Sequence, residues 1–545
     1  MTHQKSLQHI FAELPLPFCM VNVPDIPITG IAIDSRAVKP GDLFVAMKGG
    51  SSDGHDYIPK AIEHGAVAIV GEVNRIDNPT YIYIGLENPR RALSWIAASF
   101  YDWPGRKLTV IGVTGTDGKT TTTNLIYQIL LAAGFKAGMI STVNAVIGDE
   151  VLDTGFHVTT PDAHDVQRYL AQMVTAGLTH VVLETTSHGW SQYRVDACEF
   201  DIGVVTNITH EHMDEHGSYG DYRAAKARLF SSLEITSEKP QGNPRVGVIN
   251  RDDLKSFDFL NDFIKVRKLN YGLSKEADVR AEDVVYSPSD IHFTAQSRDF
   301  YIRVSSKLVG AYNVSNCLAA LTATVYGLKI KPEVAAQGIA ALEGIPGRME
   351  RIDLGQNFTA IVDFAHTPNA LKVSLEAART MLATESKATL NNGSVFDKPR
   401  VIAVFGSAGL RDKAKRRMMA EISAELADLS VLTAEDPRTE SLDGILEEMA
   451  DGARSRGGRE GETFWRVPDR GEAIRFALSL AHEGDIVLSC GKGHEQSMCF
   501  GGREHLWDDR TAMRAALSEL LSVEGPAMPY LPTQDTKEEE WLTWK

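Results

Sequence analysis

Cysteine is scarce in this chain, with five residues among 545: Cys19, Cys198, Cys317, Cys490 and Cys499. The number is odd and no pair has convincing metal-ligand spacing, which excludes a disulfide framework. No apolar run approaches membrane-spanning length, and the first residues lack the charged-then-apolar pattern of a secretory signal. A cytoplasmic protein with no stable membrane insertion is therefore expected. Basic residues are outnumbered, 56 Lys and Arg against 72 Asp and Glu, giving a formal charge of −16. This balance argues against a nucleic-acid partner, because phosphate backbones are bound mainly through Lys and Arg. It leaves room for a local site that takes a small anion.

What is present begins with a 43% hydrophobic content, enough for sizeable cores. The length exceeds one ordinary domain, so roughly two to four units are expected. The opening hundred residues read as a small α/β unit. A turn at Lys39-Pro40-Gly41-Asp42 precedes a strand over Leu43–Met47, and a helix over 57–65 precedes a strand over 66–71. A second α/β unit starts with a strand over 108–113, a glycine-rich turn and an amphipathic helix over 124–133. Leu125, Ile126, Ile129 and Leu130 should form the buried face of that helix. His180–Leu183 and Gly203–Thr206 have the short apolar form of central parallel strands. A third α/β unit is expected from about Gly347, with strands at 359–364, 401–405, 429–433 and 485–490. Helices at 411–427 and 473–480 fit between them. The polar stretches 383–400 and 454–462 read as surface loops, and a flexible tail is expected from Glu524.

The turn Gly112–Thr123 reads GVTGTDGKTTTT. Successive N–H groups around Gly115, Thr116, Asp117 and Gly118 can surround phosphate oxygens while Lys119 opposes their charge. Thr120, and Thr121 beside it, lie where a following helix would start, and the Thr120 hydroxyl suits Mg²⁺. Val113 occupies the first glycine of the strict GxxxxGK[ST] pattern, so a generic glycine-rich turn is the competing reading. Glu184 should sit at the carboxyl end of a strand, where α/β sheets expose ligand-binding groups. His212 follows another candidate strand. A carboxylate and a neutral imidazole can both bind metal, although composition alone makes each an ordinary structural or surface residue. The cluster His210, His212 and His216 hints at zinc without matching HExxH, and the nearby phosphate loop favours Mg²⁺.

Further segments extend along the chain in one order. They include Asp34-Ser35-Arg36, Pro40-Gly41-Asp42-Leu43-Phe44, the phosphate loop, Thr159-Thr160-Pro161-Asp162, Thr186-Ser187-His188, Asn207-Ile208-Thr209 and His212-Met213-Asp214. Tyr222-Arg223-Ala224-Ala225-Lys226, Asn313-Val314-Ser315-Asn316, Gly347-Arg348-Met349-Glu350, Asp363-Phe364-Ala365-His366-Thr367-Pro368 and Gly491-Lys492-Gly493-His494-Glu495 follow. Together, from residue 30 to about 510, they resemble the Mur ligase family.

The resemblance implies an α/β protein of three-domain architecture. An N-terminal domain over residues 1–107 holds a UDP-sugar, a central P-loop ATPase-like domain spans 108–346, and a Rossmann-like domain over 347–545 receives an amino acid. It also implies a bacterial, cytoplasmic monomer. The implied reaction forms an amide bond at the D-glutamate side-chain carboxylate of UDP-N-acetylmuramoyl-L-alanyl-D-glutamate. ATP phosphorylates that carboxylate, and the amine of a free diamino acid attacks the acyl phosphate. Closure of the domains would keep water from that intermediate.

The same resemblance assigns residues. Lys119, Glu184, His212 and Lys226 take catalytic positions. Thr120, Glu184, His212 and Lys226 take the positions for two Mg²⁺ ions, Lys226 as a CO₂-derived carbamate; read alone, Lys226 is a solvated helix lysine. Asn313 and Asn316 face adenine, and Arg348, Asp363 and His366 belong to a hinge and nucleotide-facing region. Ser35, Thr159, Thr160, Ser187, Gln192 and Arg194 surround the sugar-nucleotide peptide. Arg411, Asp436, Arg438, Gly491 and Glu495 surround the incoming amino acid.

At that last place the sequence departs from the family. Members that add meso-2,6-diaminopimelate commonly carry Asp-Asn-Pro-Arg, whereas this chain has Glu435-Asp436-Pro437-Arg438. The preceding loop, Ser407-Ala408-Gly409-Leu410-Arg411-Asp412, departs from the usual Gly-Asp-Arg-Asp form. Asp436 is either a tolerated loop variation or a mark of L-lysine or L-ornithine, with Arg438 then balancing Asp436 and Glu435. Diaminopimelate is the preferred expectation. A folylpolyglutamate synthetase-like ligase and an inactive nucleotide-binding regulator are the other readings.

Overall fold

The computed structural model describes residues 4–19, 23–49, 52–73, 75, 80–152, 160–209, 218–287, 290–389 and 398–535. The chain divides into two compact units, Met1–Val279 with Leu318–Gly338, and Arg280–Cys317 with Ile339–Lys545. Both are α/β.

The first unit contains two larger sheets besides the short antiparallel pair Lys5–Ser6 and Pro27–Ile28. The N-terminal one has the strand order Phe18–Cys19, Tyr83–Leu86, Ala68–Glu72, Asp42–Val45 and Gly30–Ala32. All but Phe18–Cys19 run parallel. Leu43, Val45, Val70 and Ile84 pack beneath the helix Pro89–Phe100, whose Ala92, Leu93 and Ile96 are buried. Each of these Leu, Val and Ile side chains contributes roughly 1.5–3 kcal/mol when fully buried.

In the second sheet, Thr109–Thr114 lies between His180–Glu184 and Ile202–Val205, all parallel. Ala137–Ile140 extends one side, and Val246–Asn250 with Arg267–Gly272 the other. The central strands 109–114, 181–183 and 202–205 are mostly apolar and buried, as expected where helices cover both faces of a parallel sheet. The helix Lys119–Ala132 buries Leu125, Ile126, Ile129 and Leu130, the face expected from its periodicity. It begins five residues before the start read from its apolar periodicity, beside Thr120, where the phosphate-loop reading puts it. Threonine is a weak helix former, yet Thr120–Thr123 form the first turns and are buried. The phosphate-loop backbone and tertiary packing, rather than propensity, set that start.

The second unit carries the sheet Glu350–Ile352, Thr359–Asp363, Ile486–Cys490, Val401–Phe405, Leu429–Leu432 and Phe464–Arg466. Only its first strand is antiparallel. Residues 359–363 and 401–405 flank 486–490, the last strand of this sheet in chain order, and all three run parallel. Loops at the carboxyl ends of such strands are where α/β sheets bind ligands.

Two loop expectations change. The helix Pro368–Thr389 takes in the first seven residues of the stretch 383–400 read as a loop, and residues 390–397 lie outside the described residues. Its Ala, Glu and Lys sustain a helix, and neither Gly nor Pro interrupts it. The segment after Glu524 is docked as far as Asp535: Leu531 is fully buried, and the Thr533 hydroxyl donates to Asp469 Oδ2 at 2.5 Å. One apolar anchor was enough to override the polar composition around it.

Candidate active site

In the first unit, the phosphate loop leaves the strand Thr109–Thr114 at its carboxyl end. Gly115 has φ +150, and a Cβ there would overlap the Thr206 hydroxyl. Gly118 has φ +78 and opens the helix Lys119–Ala132. The neighbouring strand end braces the loop. Thr116 N–H donates to Asn207 O at 2.7 Å, Asp117 N–H to Asn207 Oδ1 at 2.9 Å, and the Thr206 hydroxyl to Asp117 O at 2.5 Å. Thr116 Oγ1 lies 3.0 Å from the Tyr222 hydroxyl. Lys119 Nζ donates to Thr116 O at 2.8 Å, folding its charge back over the loop. Thr121 is buried in the first turn.

Glu184 ends the adjacent strand, in register with Val113. The Thr120 hydroxyl donates to Glu184 Oε1 at 3.1 Å; the Thr142 hydroxyl donates to the same oxygen at 2.8 Å, and the Thr142 N–H donates to Oε2 at 3.0 Å. Hard oxygens from a carboxylate and a hydroxyl at a phosphate loop fit Mg²⁺. Lys226, on the helix Tyr219–Ile235, is only 2% exposed and donates to Gly115 O at 2.5 Å. A carbamate at Nζ keeps one N–H for that bond, so the position is compatible with carbamylation. His212, with His210 and His216, lies outside the described residues. Among those described, no group of three or more His, Cys, Asp or Glu is arranged to hold a metal.

A polar strip adjoins Glu184. Thr160 Oγ1 donates to Glu184 O at 3.3 Å and accepts from Thr186 N–H at 3.1 Å. Arg194 donates to Thr160 O at 2.7 Å and pairs with Asp162 at 3.2 Å. Ser187 is buried in the first turn of Ser187–Ser191. Gln192 Oε1 accepts from Arg90 at 3.0 Å, and Arg90 also donates to Lys48 O at 2.7 Å. Burial lowers the Arg90 pKa from its ordinary value, with Asp162 opposing that effect. Ser35 is buried, and its carbonyl lies 2.7 Å from His64 Nδ1. Beside it, hydrogen bonds from Arg36 hold the Asp34 carboxyl down to about 2. Thr159 lies outside the described residues.

In the second unit, Asn313 and Asn316 are buried near the start of the helix Tyr312–Leu328. Asn313 donates to Val309 O at 2.7 Å and accepts from Asn316 at 2.9 Å. Asp363 ends its strand and accepts from Met349 N–H at 2.7 Å, Ala365 N–H at 3.0 Å and the Ser374 hydroxyl at 2.8 Å. The Arg348 guanidinium lies 4.5 Å from the Phe364 ring centre, and His366 Nδ1 is 3.0 Å from Phe364 O.

The turn Glu435–Arg438 lies at another set of strand ends in this unit. Asp436 is paired with Lys492 rather than Arg438, through contacts of 3.0 and 3.1 Å. Lys492 also pairs with Glu495 at 2.6 Å. The Glu435 carboxyl is buried, which pushes its pKa up, and Gly491 packs against it: a Cβ there would lie 2.6 Å from Oε2. Arg411 is exposed.

Sequence reasoning missed Thr142, Arg90 and the pairing role of Lys492. Thr142 and Arg90 carry no local motif. Lys492 stood inside a quoted motif, but its partner is 56 residues away.

Residues 27–101 match the Mur ligase family catalytic domain, 113–324 the Mur ligase middle domain, and 347–493 the Mur ligase glutamate ligase domain. The chain is 42% identical over 500 residues to a UDP-N-acetylmuramyl-tripeptide synthetase of Roseiflexus sp. (strain RS-1), covering 90% of this chain and 95% of that one. It is 38% identical over 513 residues to a UDP-N-acetylmuramoyl-L-alanyl-D-glutamate--2,6-diaminopimelate ligase of Geobacillus thermodenitrificans (strain NG80-2), covering 94% and 99%. A solved structure of a UDP-N-acetylmuramoyl-L-alanyl-D-glutamate--2,6-diaminopimelate ligase is similar with a TM-score of 0.61 at 29% identity, covering 96% of this chain and 100% of that one.

Proposed function

The chain belongs to the Mur ligase family, and from that premise we propose that it is an ATP-dependent ligase of peptidoglycan precursor synthesis. It adds a diamino acid, preferably meso-2,6-diaminopimelate, to the D-glutamate side-chain carboxylate of UDP-N-acetylmuramoyl-L-alanyl-D-glutamate. The observation that carries this reading is the convergence of Thr120, Glu184 and Lys226 on one phosphate loop. The relatives' names supply the substrate.

The loop N–H groups and Lys119 hold the triphosphate and draw charge away as the γ-phosphoryl group moves to the carboxylate. Thr120, Glu184, His212 and carbamylated Lys226 would hold two Mg²⁺ ions, which would neutralise the repulsion between carboxylate and phosphate. Thr160, Ser187, Gln192 and Arg194, with Thr159 and Ser35, bind the anionic sugar-nucleotide peptide through directional, charge-assisted bonds. Asn313, Asn316, Arg348 and Asp363 serve the nucleoside. The amine then attacks the acyl phosphate, forming the amide and releasing phosphate. Domains at 1–107, 108–346 and 347–545, acting as a cytoplasmic monomer, complete the reading. No helix of the described residues is long and apolar enough to cross a membrane.

The test supplies the UDP-dipeptide, ATP and Mg²⁺ with diaminopimelate, L-lysine or L-ornithine, and follows phosphate release and product mass. Turnover with diaminopimelate is expected. Turnover only with lysine or ornithine overturns the substrate assignment. ATP binding without any phosphate release overturns the enzyme.

A further inference from the structure

The turn Glu435–Arg438 has an unusual backbone. Asp436 has φ +42 and Arg438 φ +56, both in the left-handed region that non-glycine residues seldom occupy. Such a shape persists only where its surroundings over-determine it. Arg438 N–H donates to Cys499 O at 3.0 Å, and Gly501 N–H donates to Arg438 O at 2.7 Å. Gly409 N–H donates to Asp436 O at 2.9 Å. The turn is thereby fastened to the hairpin Ser497–Phe500 and Arg503–Leu506 and to the loop before Arg411.

Charge completes the fastening. Asp436 Oδ1 accepts from Cys499 N–H at 2.9 Å and from Lys492 Nζ at 3.0 Å, while Oδ2 accepts from Lys492 at 3.1 Å. Lys492 has no exposed side-chain surface and also pairs with Glu495. Burial alone would lower its pKa, but Glu495 and Asp436 outweigh that and hold it above the ordinary lysine value. Asp436 is thus already supplied with a cation. A substrate ammonium could take it only by displacing Lys492. Arg438 is half-buried, and among the described residues no side-chain hydrogen bond or ion pair engages its guanidinium. It suits a carboxylate.

We propose that Lys492 is a positioning residue of the amino-acid site. By neutralising Asp436 and fixing the left-handed turn, it keeps Arg438 directed to the distal carboxylate of the incoming diamino acid. The aspartate at 436 is then part of the scaffold and does not redirect the site toward lysine or ornithine. This inference rests on the ligase reading above.

The test compares wild type, Asp436→Asn, Lys492→Met and the double variant, varying diaminopimelate at saturating ATP and UDP-dipeptide. Lys492→Met strands a buried carboxylate and is expected to raise the diaminopimelate KM by about tenfold or more, with the ATP KM unchanged. Asp436→Asn should move it far less, since Glu495 still balances Lys492, and should gain no lysine turnover. The double variant removes the Asp436 charge as well and should recover part of the KM and of the thermal midpoint lost in Lys492→Met, since Glu495 alone is then left without its cation. A double variant no better than Lys492→Met on both measures overturns the proposal, as does an Asp436→Asn KM rise equal to that of Lys492→Met. Wild type that ligates only lysine or ornithine also overturns it, leaving the ligase reading intact. Wild type that ligates none of the three rejects the ligase reading and this inference with it.

Discussion

The Thr120 hydroxyl donates to Glu184 Oε1 at 3.1 Å, tying the first helical turn after the phosphate loop to the end of the adjacent strand. Thr142 holds the same carboxylate from a second strand end. Glu184→Gln is expected to abolish turnover at ordinary Mg²⁺. Thr142→Val, which only loosens the carboxylate, should raise the Mg²⁺ needed for half-maximal rate about 10–100-fold. Titrating phosphate release against Mg²⁺ checks both; an unchanged curve for Glu184→Gln removes it from the metal site.

Gly115→Ala introduces a Cβ into the Thr206 hydroxyl at a φ of +150. The loop must shift, so the ATP KM should rise by about tenfold or more while the UDP-dipeptide KM holds. Initial rates with each substrate varied in turn separate the two. A rise confined to the UDP-dipeptide would mean that the loop serves the other ligand.

Lys226→Ala removes a buried group that touches Gly115 O. The expected loss is about 10²–10³-fold in kcat, with the thermal midpoint close to wild type. Near-normal turnover in the folded variant would defeat the carbamate role.

His180 packs against Phe135 with ring centres 4.3 Å apart and planes tilted by 45°, and burial presses its pKa down to about 4. The unfolded chain takes that proton first, near the ordinary value of about 6.5. His180 therefore costs no stability above that pH, and its penalty grows as pH falls toward 4. Unfolding midpoints from pH 7.5 to 4.5 should fall more steeply for wild type than for His180→Gln. Parallel curves would show that the imidazole does not carry the effect.

Leu531 is buried among Ile474, Trp507 and Leu517 in the second unit. Leu531→Ala should cost about 2–5 kcal/mol in urea unfolding. A loss under about 0.5 kcal/mol, the scale of a surface substitution, would mean that the segment is not anchored.

The α/β class, the phosphate loop and the buried face of its helix were legible because each is written in consecutive residues: apolar runs, Gly118-Lys119-Thr120, and a helical period. The sequence also placed Glu184 at a strand end, since a carboxylate closing an apolar run leaves few other positions. Thr142 and Arg90 were not legible. Each is an ordinary polar residue whose meaning comes from a partner 42 or 102 residues away.

Family membership and the local build of the loop Gly115–Thr120 were therefore legible in the sequence alone, because local motifs carry them in fixed order. Only the tertiary structure decided the state of Asp436. A carboxylate reads as an open acceptor until its surroundings are known, and here the chain's own Lys492, brought in from 56 residues away, occupies it. The docking of Leu531 was settled in the same way. Burial and pairing are properties of neighbours in space, and one-dimensional composition does not hold them.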